Sequence, residues 1–387
     1  MIAPAPSPID ASVADLFAPP VEVAAHPAVA AATRISDDVL APHAAAADDP
    51  ARGVEPAHLA ALAGAGLLSV TVPEAEGGLG AGAGVDAECT ELVAAACAAT
   101  WFVVNQHRSA QQLSGGGLPG LDPAALEIGP AAARYRAGLA SARTRAGIAI
   151  AHLRRPGPPA VRADPRPDGS WRIDGTADWC TGWGLTDLVM IAATAPGDRY
   201  VFVLVPAAEA PGLRAGAPLP LSVMGGTRTV ALELDGFVAG PGAVLAVADG
   251  GPYRDLDAAR TANVTPASLG LLRRVLVGLE AVGRERDRPE AVELAWSLGE
   301  HAAARRAEAY ALVSDIPGTE RIPERIALRA ELTTLTVRAA SALIAARSGS
   351  AMLLDSPEQR WAREAAFHLI QAQTGPVRAA QLTAFGL

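Results

Sequence analysis

Residues 174–193 read DGTADWCTGWGLTDLVMIAA and indicate a β domain in the middle of the chain. The run from Leu188 onward is rich in Val, Ile and Met, which is typical of a buried strand. Trp179 and Thr181 precede this run and stand two residues apart. In a regular strand that spacing places both side chains on one face. The stretch therefore predicts a strand carrying an indole and a hydroxyl together, followed by a second, buried strand.

The regions on either side extend this pattern into three domains. Short runs of Val, Ile and Leu, separated by turns with Pro, Gly and Asp, predict an antiparallel β domain over residues 141–250. Helical periodicity fills residues 21–140 before it and residues 251–387 after it, where three long segments and a final helix are expected. Residues 1–20 are rich in Pro and Ala and are predicted to be poorly ordered. We expect an α+β fold with an N-terminal all-helical domain, a central β domain and a C-terminal four-helix bundle.

The composition restricts the class of protein. The 387 residues carry a formal net charge of −9, and every one of the 32 basic residues is arginine. An acidic chain is a poor partner for nucleic acid. No apolar run reaches membrane length and no leader is recognisable, so membrane insertion is not expected. Cys89, Cys97 and Cys180 form no C-x-x-C pair, which favours a reducing cytoplasm, and no metal site is predicted.

Four segments, taken in order, resemble the acyl-CoA dehydrogenase family. They are HLAALAGAGLLSVTVPEAEGGLG (58–80), the stretch 174–193, LSVMGGTRTVALELDGFVAGPGAVL (221–245) and ASLGLLRRVL (267–276). The resemblance runs from about residue 50 to the C-terminus. It implies a helical domain, a β-barrel-like middle domain and a four-helix bundle. It also implies FAD as cofactor, an acyl thioester as substrate, and a homodimer or homotetramer.

The resemblance also implies cofactor-binding residues. Trp179 would pack beside the flavin ring, with Thr181 near its redox nitrogen, whereas the alternative is a core tryptophan and a surface threonine. Arg286 falls on an arginine that reaches the FAD diphosphate across a subunit interface, and a guanidinium suits a diphosphate. Pro289 and Glu290, however, replace the expected Phe-Gly, and a solvated charged run is the alternative. Thr374 would touch the cofactor or simply cap a helix.

One flavin-binding element of the family is replaced in this chain. Where the family has Thr-Glu-Pro and Gly-Ser-Asp, residues 151–161 read AHLRRPGPPAV. His152, Arg154 and Arg155 substitute basic groups for neutral or acidic ones. Backbone amides or an arginine would still meet the cofactor here, and a surface turn is the alternative.

The general base of the family is missing from its usual place. Residues 356–382 resemble the final region, and the position of the catalytic glutamate falls on Ala372, which cannot accept a proton. Isovaleryl-CoA dehydrogenase carries its base on the first bundle helix, and that position is Arg260 here. Asp257 and Glu364 are the nearest substitutes. Asp257 would otherwise be a helix N-terminal charge, and Glu364 a structural ion pair.

Three functions follow from the resemblance. The first is an FAD-dependent acyl-CoA or acyl-carrier-protein dehydrogenase that desaturates an acyl thioester at its α,β bond with a displaced or missing base. The second is a flavin-dependent monooxygenase on the same scaffold, using reduced flavin supplied from elsewhere. The third is a non-catalytic partner subunit in a heteromer with a competent dehydrogenase. Fold alone does not choose among them.

Overall fold

The computed structural model describes residues 11–386, and it begins with a helical region. Its α-helices are α1 (Val21–Ala24), α2 (Pro27–Ile35), α3 (Ala44–Asp48), α4 (Pro56–Gly64), α5 (Ala83–Ala96), α6 (Ala98–Asn105), α7 (His107–Ser114) and α8 (Pro130–Ala140). Proline opens α2, α4 and α8, where a missing N–H costs no hydrogen bond. The predicted helical domain is therefore present, with one short strand inserted before α8.

That strand belongs to a nine-stranded sheet that forms the middle of the molecule. The strands are β1 (Leu126–Ile128), β2 (Ala146–Ala149), β3 (Val161–Pro165), β4 (Trp171–Cys180), β5 (Leu188–Ala195), β6 (Arg199–Pro206), β7 (Leu213–Ala215), β8 (Val230–Ala239) and β9 (Val244–Asp249). The sheet order is β1-β9-β6-β5-β3-β4-β8-β7, and β2 also pairs with β5.

The sheet corrects two details of the predicted β domain. It is open, because β1 and β7 end the order and do not pair with each other, so the barrel-like closure implied by the resemblance is absent. It is also mixed: β2 runs parallel to β5, and β3 touches β5 in parallel, although most pairs are antiparallel. A parallel pair needs a long crossover, and the segment containing β3 and β4 provides it here.

Strand β5 is buried on both faces, which explains its unbroken apolar sequence. Val189, Ile191 and Ala193 belong to a core shared with β4 and β8. Met190 and Ala192 belong to a second core under α7 and α8. A strand covered on both sides reads as a continuous hydrophobic run rather than an alternating one.

The C-terminal region is helical and packs around one central helix. The helices are α9 (Gly250–Ala262), α10 (Pro266–Glu285), α11 (Pro289–Asp315), α12 (Ile322–Arg347), α13 (Pro357–Ile370) and α14 (Gly375–Phe385). Helix α10 contacts α5, α11, α12 and α13 through an apolar core that includes Leu272, Leu276 and Leu279. None of the described helices is both long and apolar enough to span a membrane.

The last helical segment is two helices instead of one. Residues 371–374 separate α13 from α14, and Ala372 has a φ of +47°. A residue in the left-handed region cannot continue an α-helix. Thr374 then occupies the N-cap position of α14, although its side chain makes no capping hydrogen bond.

The beginning of the described chain differs from the predicted poor order of residues 1–20. Residues 1–10 of that segment lie outside the described residues. Residues Val13–Phe17 form a 3-10 helix in which Val13 and Phe17 are buried against the C-terminal helices. The Glu280 carboxylate accepts from the Ser12 hydroxyl at 2.8 Å and from the Val13 amide at 3.0 Å. Two buried apolar side chains and a buried acceptor outweigh the disorder that Pro and Ala favour.

Candidate active site

A cavity of about 170 Å³ lies where the N-terminal helices, the sheet and the C-terminal helices meet. One wall is apolar and is formed by Leu113, Leu118, Ile150, Met190 and Phe202. The remaining lining is mostly polar and consists of Ser109, Arg154, Tyr253, Asp257, Arg260, Thr261, Asn263, Thr265, Arg329 and Ala372. Three arginines face one carboxylate, so the cavity carries net positive charge.

The carboxylate in this cavity is held by an arginine. Arg154 donates to Asp257 from Nε and Nη2, at 2.6 Å each, in a two-pronged ion pair. Arg154 lies on a 3-10 helix (Ala151–Arg154) that follows β2, and Asp257 lies on α9. The side chain of Asp257, one of the two predicted substitutes for the base, is therefore at the cavity but occupied by Arg154.

Arg329 of α12 is the most deeply buried charge in the cavity wall, with 3% of its surface exposed. Its Nη2 donates to the Gln371 carbonyl at 2.5 Å, and its Nη1 donates to the Thr261 carbonyl. Burial, with the nearby charge of Arg154, lowers the pKa of Arg329 to about 10, so the guanidinium remains a cation at neutral pH. Among the described residues no carboxylate pairs with it.

The second predicted substitute for the base lies elsewhere. Glu364 of α13 is 3% exposed and does not line the cavity. Its carboxyl group is 3.4 Å from the Arg360 guanidinium, the kind of partner that the ion-pair alternative requires. Burial nevertheless raises the pKa of Glu364 to about 8. The residue at the usual base position, Ala372, does line the cavity and adds only a methyl group to it.

Trp179 and Thr181 lie in different surroundings. The Trp179 side chain is 50% exposed, whereas Thr181 is 4% exposed. The Thr181 hydroxyl is 3.0 Å from that of Thr229, inside the protein. Between Ala177 and Cys180, β4 contains one more residue than the partner strand, and the strand ends at Cys180. The two-residue alternation requires a regular strand, so it does not extend across this bulge.

The remaining predicted flavin contacts lie outside the cavity. Arg286 follows α10 with its side chain 40% exposed, and its Nε is 3.3 Å from the Glu285 carboxylate. Arg155 pairs at 2.5 Å with Asp178, the neighbour of Trp179 in the chain. His152 is buried and hydrogen-bonds the Ala192 carbonyl at 2.9 Å, a structural role. Of the residues singled out in the sequence, the cavity brings together Arg154, Asp257, Arg260 and Ala372.

Comparisons with known proteins agree with this architecture. Residues 26–116 match the family model described as acyl-CoA dehydrogenase, N-terminal domain. Butyryl-CoA dehydrogenase from Megasphaera elsdenii superposes with a TM-score of 0.71 at 14% identity, covering 93% of this chain and 96% of that one. The chain has the acyl-CoA dehydrogenase fold. The family model covers the first of the four resembling segments, and the superposition confirms the overall fold that the resemblance implied.

Solved structures with other activities share the acyl-CoA dehydrogenase fold. TdsC from Paenibacillus sp. A11-2, a dibenzothiophene monooxygenase, was crystallised with indole and superposes with a TM-score of 0.74 at 19% identity, covering 93% of this chain and 96% of that one. A nitrososynthase from Micromonospora carbonacea var. africana has a TM-score of 0.71 at 18% identity, covering 97% and 99%. No curated protein sequence matches the chain. Identities this low establish the acyl-CoA dehydrogenase fold and leave the reaction open.

Two ionisable residues of the site were not found from the sequence. Arg329 and Tyr253 line the cavity, yet each lies in a helical pattern without any distinguishing motif. The signal that was present is the spacing of Arg325 and Arg329, one turn apart on a helix side that they share with leucines and threonines. Burying a charged side chain at a core-facing position costs free energy, so an arginine there indicates a functional or structural role.

One other cluster could be mistaken for a metal site. His43, Glu55 and His58 place potential ligand atoms within 4.8 Å of one another. His58 Nε2 and Glu55 Oε2 are 4.0 Å apart. Two ligands of one tetrahedral zinc lie only about 3.4 Å apart, as bond lengths near 2.0–2.1 Å require. The group is therefore too open, as placed, to hold such an ion.

Proposed function

We propose that the chain is a flavin-dependent oxidoreductase of the monooxygenase type. The observation that carries this proposal is the cavity wall, where Ala372 replaces the base and Asp257 is bound by Arg154 at two atoms. A general base must reach the proton it removes, and Arg154 already donates to each oxygen of Asp257 and holds that side chain in place. Desaturation of an acyl thioester by a displaced Asp257 or Glu364, the first function expected from the sequence, is less well supported by this geometry.

The described residues fit a flavin at one place, around Trp179. A half-exposed indole offers the flat aromatic surface on which a ring system stacks. Arg155 pairs with Asp178, the residue before Trp179 in the chain, and offers charged donors for a polar edge or a phosphate. Trp179 and Arg155 would therefore hold the flavin. A reduced flavin supplies the electrons with which molecular oxygen is activated.

The residues of the cavity would bind and shield the substrate. Met190, Phe202 and the other apolar residues exclude water from one wall. Tyr253 contributes a hydroxyl whose pKa burial raises to about 12, so this hydroxyl stays protonated and can donate a hydrogen bond. The Arg154–Asp257 pair fixes the position of the 3-10 helix against α9 and so maintains the shape of the site.

The proposed activity has support from relatives that share the fold. TdsC is described as a monooxygenase and has been crystallised with FMN, which makes a flavin of either kind a reasonable expectation beside the predicted FAD. Butyryl-CoA dehydrogenase supports the alternative reaction equally by fold. The cavity residues, and not the similarity of fold, favour oxygenation over desaturation.

The test compares two half-reactions. The purified protein is first loaded with FAD or FMN and titrated anaerobically with acyl-CoAs of several lengths, while the flavin absorption band is recorded. The proposal expects no bleaching. The protein is then given reduced flavin and oxygen with either indole or benzoate, and an oxygenated product is sought by mass spectrometry. Bleaching by an acyl-CoA would establish a dehydrogenase instead. If the protein binds neither FAD nor FMN, the non-catalytic partner subunit is the one remaining hypothesis of the three.

We also propose that the C-terminal helices mediate self-association, as the resemblance implied. Eight of the twelve exposed large apolar side chains lie between Leu294 and Phe385, among them Leu354 at 99% exposure and Leu382 at 68%. Met352, Leu353 and Leu354 are consecutive and all exposed, and a contiguous exposed apolar patch is typical of an interface. Light scattering after size exclusion distinguishes a homodimer or homotetramer from a monomer. If the protein is a monomer alone and assembles only when an intact dehydrogenase is added, the result would favour the partner-subunit hypothesis.

A further inference from the structure

We infer that the cavity takes a small organic molecule that carries a carboxylate on an apolar body, and that Arg329 holds the carboxylate. The inference names the substrate class of the cavity and rests on the proposed function in taking the cavity as the substrate site.

Arg329 places a buried charge in the cavity wall. A buried cation costs free energy unless an anion or a full set of acceptors compensates it. Arg329 meets two backbone carbonyls, those of Thr261 and Gln371, and no described carboxylate. The cavity's carboxylate, that of Asp257, is already taken by Arg154. An anionic ligand would complete this site.

Arg329 and Tyr253 also have hydrogen-bond donors available for a ligand. A guanidinium has five N–H groups, and the two recorded hydrogen bonds of Arg329 leave three. Its planar arrangement of donors matches the two oxygens of a carboxylate. Tyr253 lines the same cavity, and among the described residues nothing accepts a hydrogen bond from its hydroxyl.

The apolar part of the cavity lining favours an organic ligand over a bare inorganic ion. Leu113, Ile150, Met190 and Phe202 form it and offer no polar side-chain partner. A volume of about 170 Å³ is below the range of about 300–1,000 Å³ typical of pockets for drug-sized ligands. The ligand, or the part of it that enters, is therefore small and has a charged end and an apolar end.

The cavity also has a route of entry. A wider groove of about 530 Å³ opens on the surface of the N-terminal helices, and Leu118 lines both spaces. Arg260 stands at this junction, with its Nη2 3.3 Å from the Gln112 side-chain oxygen and 3.2 Å from the Pro119 carbonyl. Arg260 is exposed and would attract an anion toward the cavity.

The experiment measures ligand binding alone, with neither flavin nor oxygen present. Benzoate, its neutral counterpart benzamide, and inorganic phosphate are each titrated into the purified protein by calorimetry. We expect benzoate to bind about tenfold or more tightly than benzamide, and phosphate to bind weakly. Arg329→Met should remove the preference for benzoate, and Arg329→Lys should restore part of it. Arg338→Met, an exposed arginine on the same helix, is the matched control and should bind like the unchanged protein.

Several outcomes would overturn the inference. Equal binding of benzoate and benzamide to the unchanged protein would do so without any variant, even if Arg329→Met failed to fold. Phosphate binding as tight as benzoate binding would indicate a site for inorganic anions instead. Benzoate binding that persists in Arg329→Met would place the carboxylate elsewhere. Selective benzoate binding in a protein without oxygen chemistry would contradict the proposed function and leave this inference intact.

Discussion

Arg154 and Asp257 lie 103 residues apart in the chain, and two hydrogen bonds of 2.6 Å join their side chains. The pair connects the segment after β2, whose sequence departs from the family pattern, to α9, which lines the cavity. The same contact that anchors the altered segment also occupies the carboxylate best placed to act as a base. The Arg154–Asp257 ion pair therefore has a structural role, and the same pairing explains why Asp257 is not available as the general base.

Asp257→Asn should destabilise the protein without creating or removing a base. The substitution leaves Arg154 without its anion in a site where the two side chains are 28% and 19% exposed. We expect the free energy of unfolding to fall by about 1–3 kcal/mol, measured by denaturant titration. Arg154→Met should cost a similar amount, and the double variant should cost less than the sum of the two. Additive losses would show that the pair is not coupled.

Ala372→Glu should place a carboxylate in the cavity beside Arg329. Ala372 already has a β-carbon at a φ of +47°, so a longer side chain adds no new backbone strain. We expect the new carboxylate to pair with Arg329 and to weaken benzoate binding by about tenfold or more. Ala372→Gln, with the same shape and no charge, is the control and should weaken it less. Equal benzoate binding in both variants would contradict the expected pairing. A separate anaerobic titration with acyl-CoAs then shows whether the restored carboxylate permits reduction of bound flavin.

Glu364 should make the stability of the protein fall as the pH rises. Burial raises the pKa of Glu364 from 4.5 to about 8, so between these values the folded protein keeps a proton that the unfolded chain releases. The stabilisation is complete below the lower value and is lost as the pH approaches the upper one. The slope would approach about 1.4 kcal/mol per pH unit for one proton.

Glu364→Gln should flatten that dependence, as seen in urea unfolding at pH 5, 6, 7 and 8. Glu293→Gln, at an exposed glutamate on α11, should retain the slope of the unchanged protein. A slope that survives in Glu364→Gln would mean that another group releases the proton.

The order of the domains was predictable because it depends on periodicity, which the sequence displays directly. Helical spacing and apolar runs give the type of each element, and turn residues separate the runs. The closure of the sheet was not predictable in this way. It depends on whether β1 and β7 meet, and no local pattern in either three-residue strand encodes that.

The absence of the usual base at Ala372 could be predicted from the sequence. The burial of Arg329 in the cavity wall could not. Ala372 was identified by position and does line the cavity. Arg329 was not identified, because an arginine in a helix is usually solvated and its burial results from the packing of α12 against α9 and the 371–374 loop. The surroundings of Thr181 likewise depend on a bulge in β4 that composition does not reveal.

The contact between the start of the described chain and Glu280 has a consequence for biosynthesis. Ser12 and Glu280 are separated by 268 residues, so the ribosome makes the apolar Val13 and Phe17 long before their binding surface exists. At about 5–20 residues per second that interval lasts roughly 15–50 s. During it, this segment cannot reach its final position and would be exposed to chaperones. The segment containing Val13 and Phe17 is therefore made well before the helix that it packs against, and it docks only after that helix has emerged.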